Sequence, residues 1–143
     1  MSMKSVAILA AIATAGSVFA ETYTVNEGES QTQTSITNTT RFTKAGAGTL
    51  VLSGNNSLAS MTVSAGTLNV HGGTTTISGS GSSGAYGSSA FVNNGNMFIV
   101  DGGATVTITG GAYGHTDNGT LRVANGTFDA TALGNDFMNA RSR

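Results

Sequence analysis

Apolar and polar residues alternate in short segments along most of the chain. The clearest segments begin with a glycine and then place an apolar side chain at every second position; they lie at 48–52, 66–70, 95–100 and 119–123. Weaker alternating runs lie between them, at 61–63, 74–77, 104–109 and 126–130. A period of two with many β-branched residues predicts strands that each bury one face. After the first twenty residues, no stretch has the spacing of an amphipathic helix, so the pattern predicts an all-β protein.

Turns rich in glycine and asparagine separate these runs, and they fit two all-β architectures. In an antiparallel sandwich or barrel, Asp101-Gly102 and Asn125-Gly126 would be hairpin turns. In a β-solenoid, each strand would instead pair in parallel with its counterpart in the next coil. A solenoid stacks like on like, whereas a sandwich has no reason to reuse the Gly-Thr-Leu strand. The repetition therefore favours a short right-handed parallel β-helix, with Leu50, Leu68 and Leu121 stacked in one core column.

The first twenty residues have the organisation of a signal peptide. Lys4 precedes an apolar run at 6–15, and the small-residue ending Val18-Phe19-Ala20 predicts cleavage after Ala20, with Ala13-Thr14-Ala15 as a second possible site. The apolar run is about ten residues long, whereas a spanning helix needs about 20. We therefore expect export without a membrane span in the mature chain. The predicted organisation is a signal peptide at 1–20, an N-terminal cap or irregular segment at 21–41, β-helix repeats at 42–135 and a frayed tail at 136–143.

Composition excludes several function classes. The 143 residues suffice for one domain, and a formal net charge of −1 with 9% charged residues leaves no basic surface for nucleic acid. The sequence contains no cysteine, which excludes disulfides, thiolate metal sites and a cysteine nucleophile. Rigidity must therefore come from backbone pairing.

Candidate chemistry is sparse. The segment 79–84 fits the G-x-G-x-x-G pattern and Asp101 follows it, but no helix begins after it, so we interpret it as a loop between coils. His71 and His115 are interpreted as solvated turn residues. The aspartates are isolated, which disfavours a glycoside hydrolase or lyase, and the Gly-Gly-x-Gly-x-Asp repeat of calcium-binding solenoids does not occur. The acidic residues considered are Glu27, Glu29, Asp101, Asp117, Asp129 and Asp136. We predict no catalytic residue, cofactor or metal site.

One segment resembles a known family. Residues 43–56 (TKAGAGTLVLSGNN) and 62–70 (TVSAGTLNV) resemble the autotransporter passenger-associated strand repeat, although residues 57–61 replace its usual Tyr-Thr-Gly-Gly-Thr spacer. More weakly, 91–94 and 110–113 resemble repeats of polymorphic outer-membrane adhesins. The resemblance covers about residues 42–135. It implies a parallel β-helix displayed outside a Gram-negative or related bacterium.

This resemblance also sets the functional expectations. Because no translocator barrel follows, the chain is interpreted as a truncated passenger, a separately exported relative or a gene fragment. We expect a secreted or surface-displayed, non-enzymatic structural or adhesion module whose partner is an unknown extracellular ligand or host surface. The alternative is a glycan- or ice-binding β-solenoid that uses Thr-rich rows at 74–76 and 105–109. Open solenoid ends also predict self-association.

Overall fold

The computed structural model describes residues 21–38, 41–79, 90–92, 96–110, 114–117, 119–133 and 137–140. These residues form strands that follow one another in five coils of three strands and one further strand. Coil 1 contains β1 (Glu21–Thr24), β2 (Ser30–Thr34) and β3 (Thr37–Asn38); coil 2 contains β4 (Phe42–Ala45), β5 (Thr49–Ser53) and β6 (Asn55–Leu58); coil 3 contains β7 (Met61–Val63), β8 (Thr67–His71) and β9 (Thr74–Ile77). Coil 4 contains β10 (Ala90–Val92), β11 (Met97–Asp101) and β12 (Thr105–Ile108); coil 5 contains β13 (Gly114–Asp117), β14 (Thr120–Val123) and β15 (Thr127–Asp129). A short 3-10 helix (Thr131–Leu133) and β16 (Phe137–Ala140) follow.

Each coil contributes one strand to each of three sheets. Sheet A has the order β1-β4-β7-β10-β13-β16, sheet B runs from β2 through β5, β8 and β11 to β14, and sheet C runs from β3 through β6, β9 and β12 to β15. Every pairing between these strands is parallel, as in β5 with β8 and β8 with β11. The predicted β-solenoid is confirmed, and the antiparallel alternative is excluded.

The predicted leucine column is also confirmed. In sheet B, Leu50 pairs with Leu68, Leu68 with Phe98, and Phe98 with Leu121. Leu50 and Leu68 are completely buried, whereas Leu121, in coil 5, is partly exposed. The recurring strand thus places one apolar side chain over another through four coils.

The interior is a narrow apolar core made of the inward side chains of all three sheets. Along β5 and β12, buried residues alternate with half-buried ones, as the period of two predicts. The buried apolar side chains of sheet B and sheet C include Leu52, Leu58, Val70, Ile77, Val100, Val106 and Ile108. Each coil buries its apolar face only because its neighbours cover it.

The corners between sheets A and B require glycine where the chain turns. Gly66 has a φ of 67°, a conformation that L side chains rarely adopt. A Cβ at Gly66 would also overlap the backbone carbonyl oxygens of Gly46 and Gly48 in the coil below. Close stacking of successive corners therefore leaves no room for a side chain at this position.

Strands are also present near both ends of the described chain. In the segment predicted as a cap or irregular region, β1 and β2 pair along their length with β4 and β5. Within the predicted tail, β16 pairs with β13. The predicted signal peptide lies outside the described residues, as does the G-x-G-x-x-G segment apart from Gly79. In the part of the chain that the structure describes, no helix has the length and apolar character needed to cross a bilayer.

Candidate functional site: the buried polar groups of residues 42–70

The segment that resembles a passenger repeat buries a lysine. In β4, alternation turns Phe42 and Lys44 toward the core and Thr43 and Ala45 away from it. The Lys44 side chain is completely buried, between Tyr23 of coil 1 and Val63 of coil 3 in the same column. A fully buried lysine is rare unless every donor of its ammonium group has an acceptor.

Backbone carbonyl oxygens supply those acceptors. Lys44 Nζ donates to the oxygens of Ala45 at 2.8 Å, Gly46 at 2.6 Å and Ala65 at 3.0 Å. Two of these carbonyls belong to the corner of coil 2 and the third to the equivalent corner of coil 3. An ammonium group has three donors, so all three are used. The lysine thus satisfies carbonyl groups that the sharp turns direct into the core, and it joins two successive coils.

Burial determines the electrostatics of this lysine. Because its acceptors are neutral carbonyl groups, desolvation dominates and holds the pKa of Lys44 below its ordinary value. The side chain is enclosed and fully hydrogen-bonded, and its geometry suits a structural crosslink.

A second buried polar side chain belongs to the end of the same motif. Asn56, in β6, is 4% exposed, and its Oδ1 accepts a hydrogen bond from the Ile36 N–H of coil 1 at 2.9 Å. Its Nδ2 donates to the Ser53 carbonyl oxygen at 3.1 Å and to Thr75 Oγ1 of coil 3 at 3.2 Å. Asn56 therefore holds three coils together at the corner between sheets B and C.

Lys44 and Asn56 lie within the motif at 43–56, but the sequence analysis did not predict their buried contacts. A signal existed in the alternation, because both residues occupy the inward phase of their strands: Lys44 is two residues from Phe42, and Asn56 is two residues from Leu58. A polar residue in the inward phase of a strand must find partners inside the core. That rule identifies both positions from the sequence alone.

His71 and Asp101 are less isolated than predicted. They occupy paired positions at the ends of β8 and β11, and His71 Nδ1 lies 2.7 Å from Asp101 Oδ1. The side chain of His71 is exposed, as expected for a solvated residue, but it bridges coils 3 and 4 rather than standing alone. His115 lies in β13, and its side chain is outside the described part of the structure.

Two of the other predicted acidic residues, Glu29 and Asp129, have local partners, whereas Asp136 and the side chain of Asp117 lie outside the described part of the structure. Glu29 Oε2 accepts a hydrogen bond from Asn26 Nδ2 at 3.1 Å. Asp129 Oδ1 accepts from the backbone N–H of Thr131 at 2.9 Å and from its hydroxyl at 2.7 Å, which lowers the pKa of Asp129. Among the residues described, no three histidine or carboxylate side chains are grouped as metal ligands would be.

The outward face of sheet C is the most regular polar surface described. Thr74 and Thr76 of coil 3 pair in register with Thr105 and Thr107 of coil 4. Thr127 continues the first of these columns into coil 5, where Asp129 replaces threonine in the second. The two Thr-x-Thr rows that the sequence predicted are therefore directly stacked.

The segment that contains Lys44 and Asn56 also matches a known family of sequence repeats. Residues 42–70 match the model of the passenger-associated-transport-repeat. The passenger repeat runs from the first residue of β4 to the fourth residue of β8 and so contains Lys44, Asn56 and the first two leucines of the core column. The predicted resemblance to autotransporter passengers is confirmed over this segment. No curated protein and no solved structure matches the chain.

The match gives the repeat a physical meaning. Lys44, the corner glycines and Asn56 hold successive coils of the repeat in register, while its leucines fill the core. A β-solenoid that contains a passenger repeat is a structural kind of domain. The resemblance between 71 and 135 stays a prediction.

Proposed function

We propose that this protein is an exported, non-enzymatic module of the autotransporter passenger type that acts in adhesion at or outside the bacterial surface. The observation that carries the proposal is the passenger repeat folded as consecutive coils of a parallel solenoid. Its motif side chains bond backbone groups in the core, which leaves the three outward sheet faces to meet the surroundings. Secretion, surface display and adhesion are parts of this proposal.

The sequence of the N-terminus supports export. Lys4, the apolar run at 6–15 and the small-residue ending before Glu21 are typical of a signal peptide, and cleavage after Ala20 would leave Glu21 as the first residue. Expression of the full chain in a Gram-negative host, followed by mass measurement of the protein outside the inner membrane, tests this directly. We expect a chain beginning at Glu21. Full-length protein retained in the cytoplasm would contradict export.

Adhesion can be tested with a pair of variants in one strand. The full chain, coated on beads, is expected to retain cultured host cells or neighbouring bacteria. Leu68→Asp places a carboxylate in the core and is expected to abolish retention, whereas Thr67→Asp adds the same charge to the outward face and should preserve the fold. Equal retention by the wild type and the unfolded Leu68→Asp variant would show that the interaction is nonspecific and would contradict the proposal.

A second candidate function is recognition of a glycan or of ice by sheet C. The register of Thr74 with Thr105 and of Thr76 with Thr107 favours it, because strands about 4.8 Å apart place their hydroxyl groups in a regular array. Threonine is also a favoured strand residue on solvated faces, so the array alone does not require a ligand.

The matched variants for this candidate lie on different sheets. Thr105→Lys interrupts the hydroxyl array of sheet C, whereas Thr67→Lys makes the same change on sheet B. Binding to neutral polysaccharides and inhibition of ice recrystallisation are then measured for both. Loss of either activity in Thr105→Lys alone would support sheet C as the binding face. Absence of both activities in the wild type would exclude this candidate.

A further inference from the structure

A histidine and an aspartate meet on the outer surface of the solenoid, where two strands of sheet B end. His71 is the last residue of β8 and Asp101 is the last residue of β11, and the two residues are paired in register. The Nδ1 atom of His71 lies 2.7 Å from Oδ1 of Asp101. The N–H of Gly72 also donates to the backbone carbonyl oxygen of Asp101 at 3.1 Å. Both side chains therefore project from adjacent strands whose backbones are bonded at the same place.

A glycine leaves the space that the imidazole ring occupies. Gly102 has a φ of 60°, and a Cβ at this position would lie 2.6 Å from Cε1 and 2.7 Å from Nδ1 of His71. Only a residue without a side chain lets the ring lie over the corner of coil 4. The pair is still accessible to solvent, because 59% of the His71 side chain and 31% of the Asp101 side chain are exposed. Its nitrogen and oxygen atoms are therefore held in position and can be reached by a dissolved ion.

We propose that His71 and Asp101 chelate one Cu²⁺ ion, which joins coils 3 and 4. Sites with nitrogen and oxygen ligands bind Cu²⁺ more tightly than the other divalent ions of the first transition series. With metal–ligand bonds of about 2.0–2.1 Å, two donor atoms 2.7 Å apart subtend an angle of about 80–85° at the ion. That angle is close to the right angle of square-planar and tetragonal coordination and far from the tetrahedral angle. The geometry therefore favours Cu²⁺ over Zn²⁺.

Chelation exchanges one proton for the metal ion. An ionised carboxylate only accepts hydrogen bonds, so in the metal-free pair Nδ1 carries the hydrogen and donates it to Oδ1. When Cu²⁺ binds, this proton leaves to solvent, Nδ1 and Oδ1 each form a bond to the ion, and Nε2 carries the remaining hydrogen of the ring. Water completes the coordination, because the described residues place no third histidine or carboxylate beside the pair. With only two protein ligands, we expect a dissociation constant in the micromolar range.

The ion adds a link between two coils that a long connection joins. The chain passes from coil 2 to coil 3 between Leu58 and Met61, whereas it passes from coil 3 to coil 4 between Ile77 and Ala90. An ion that binds the folded protein stabilises it by mass action. At a free Cu²⁺ concentration about 100 times the dissociation constant, the midpoint of thermal unfolding should therefore rise by about 5 °C or more over that in EDTA. Equal midpoints in Cu²⁺ and in EDTA would overturn the inference.

Calorimetric titration of the full chain, without an affinity tag, measures the binding of Cu²⁺ directly. We expect one Cu²⁺ per chain at this site, and a loss of affinity of at least about tenfold in both His71→Gln and Asp101→Asn. His115→Gln removes the other histidine of the sequence and is the matched control, which should bind as the wild type does. Unchanged affinity in His71→Gln would overturn the inference. Unchanged affinity in Asp101→Asn would also overturn it, because the histidine would then bind the ion without the carboxylate.

A variant that gains affinity keeps the test independent of any damage to the fold by His71→Gln or Asp101→Asn. Asp101→His places a second imidazole at the same register position and should bind one Cu²⁺ at least about tenfold more tightly than the wild type. Electron paramagnetic resonance of the bound ion should then show two nitrogen ligands instead of one. No gain in affinity, or two independent Cu²⁺ sites, would overturn the chelate. The proposed adhesion function is unaffected by this outcome, because it rests on the passenger repeat.

Discussion

Coils 2 and 3 differ from coil 4 in what their cores contain. All the buried polar side chains lie in coils 2 and 3 among the described residues: Lys44, Asn56, Ser60 and Thr75. The described inward side chains of coil 4 are apolar and include Phe98, which meets Phe128 edge-to-face with ring centroids 6.0 Å apart. The same solenoid path is therefore stabilised in two ways. Hydrogen bonds with fixed directions hold the corners of the passenger repeat, whereas shape and apolar area hold the coil above it.

The buried polar side chains of coils 2 and 3 also restrict the register in which their strands can pair. A parallel strand that slips by two residues keeps its apolar face inward, so apolar packing alone tolerates such a slip. The three carbonyl partners of Lys44 and the three-coil contacts of Asn56 exist only in one register. The passenger repeat therefore fixes the alignment that later coils can follow.

Removal of the buried ammonium group should have the largest effect. Lys44→Met keeps most of the apolar stem but leaves three carbonyl oxygens without their donor. We expect the free energy of unfolding to fall by about 3–5 kcal/mol, since unmet buried polar groups outweigh the relief of a desolvated charge. Urea unfolding measures this. Stability equal to that of the wild type would show that the carbonyl groups find other donors.

Truncation along the leucine column should have the next largest effect, and its size should depend on the coil. Leu68→Ala, between two covering coils, should cost about 3 kcal/mol, because the cavity cannot collapse. Leu121→Ala is the matched change at the partly exposed end and should cost about 1 kcal/mol. Thermal unfolding of both variants measures the two losses of stability. Equal losses of stability would contradict the partial exposure of Leu121 in coil 5.

A comparison of two glycines with similar φ angles distinguishes the cost of close packing from the cost of backbone strain. Gly66→Ala combines a φ of 67° with overlap against the coil below and should cost about 2 kcal/mol or more. Gly28 has a φ of 77°, and no atom lies within 4 Å of the position that a Cβ would take, so Gly28→Ala should cost about 1 kcal/mol. Urea unfolding compares the two variants. If they are equally destabilised, the stacking of corners contributes nothing.

The smallest expected effect is on pH dependence. The pKa of Lys44 is lowered on folding, so the unfolded chain binds more protons and stability should rise with pH until both states are neutral, above about pH 10.4. The pKa of Tyr23 is raised by burial and by Glu21, so its contribution is present below its ordinary pKa of about 10 and declines above that pH. Urea unfolding from neutral to alkaline pH measures both trends. Lys44→Met should remove the rise and Tyr23→Phe the decline; if neither variant changes the profile, other groups control it.

The sequence predicted the part of the fold that repetition encodes. Gly-Thr-Leu recurs, and the structure stacks Leu50 on Leu68. The sequence predicted a cap or irregular segment at 21–41 but not its strands, because Tyr23, Gln31 and Gln33 take positions that pair with buried residues of coil 2 and so interrupt the hydrophobic alternation. The His71–Asp101 contact escaped because its register depends on the connection between coils 3 and 4, whose length differs from that of the preceding one.

The parallel ladders have a consequence for how the molecule can lose or gain length. Each strand bonds only to its counterparts one coil before and one coil after, so cohesion passes from neighbour to neighbour along a line. A whole turn could be duplicated or deleted in the middle while every remaining ladder still closes, provided that the two new neighbours match. Such a molecule can vary in extent over evolutionary time without redesign of its cross-section.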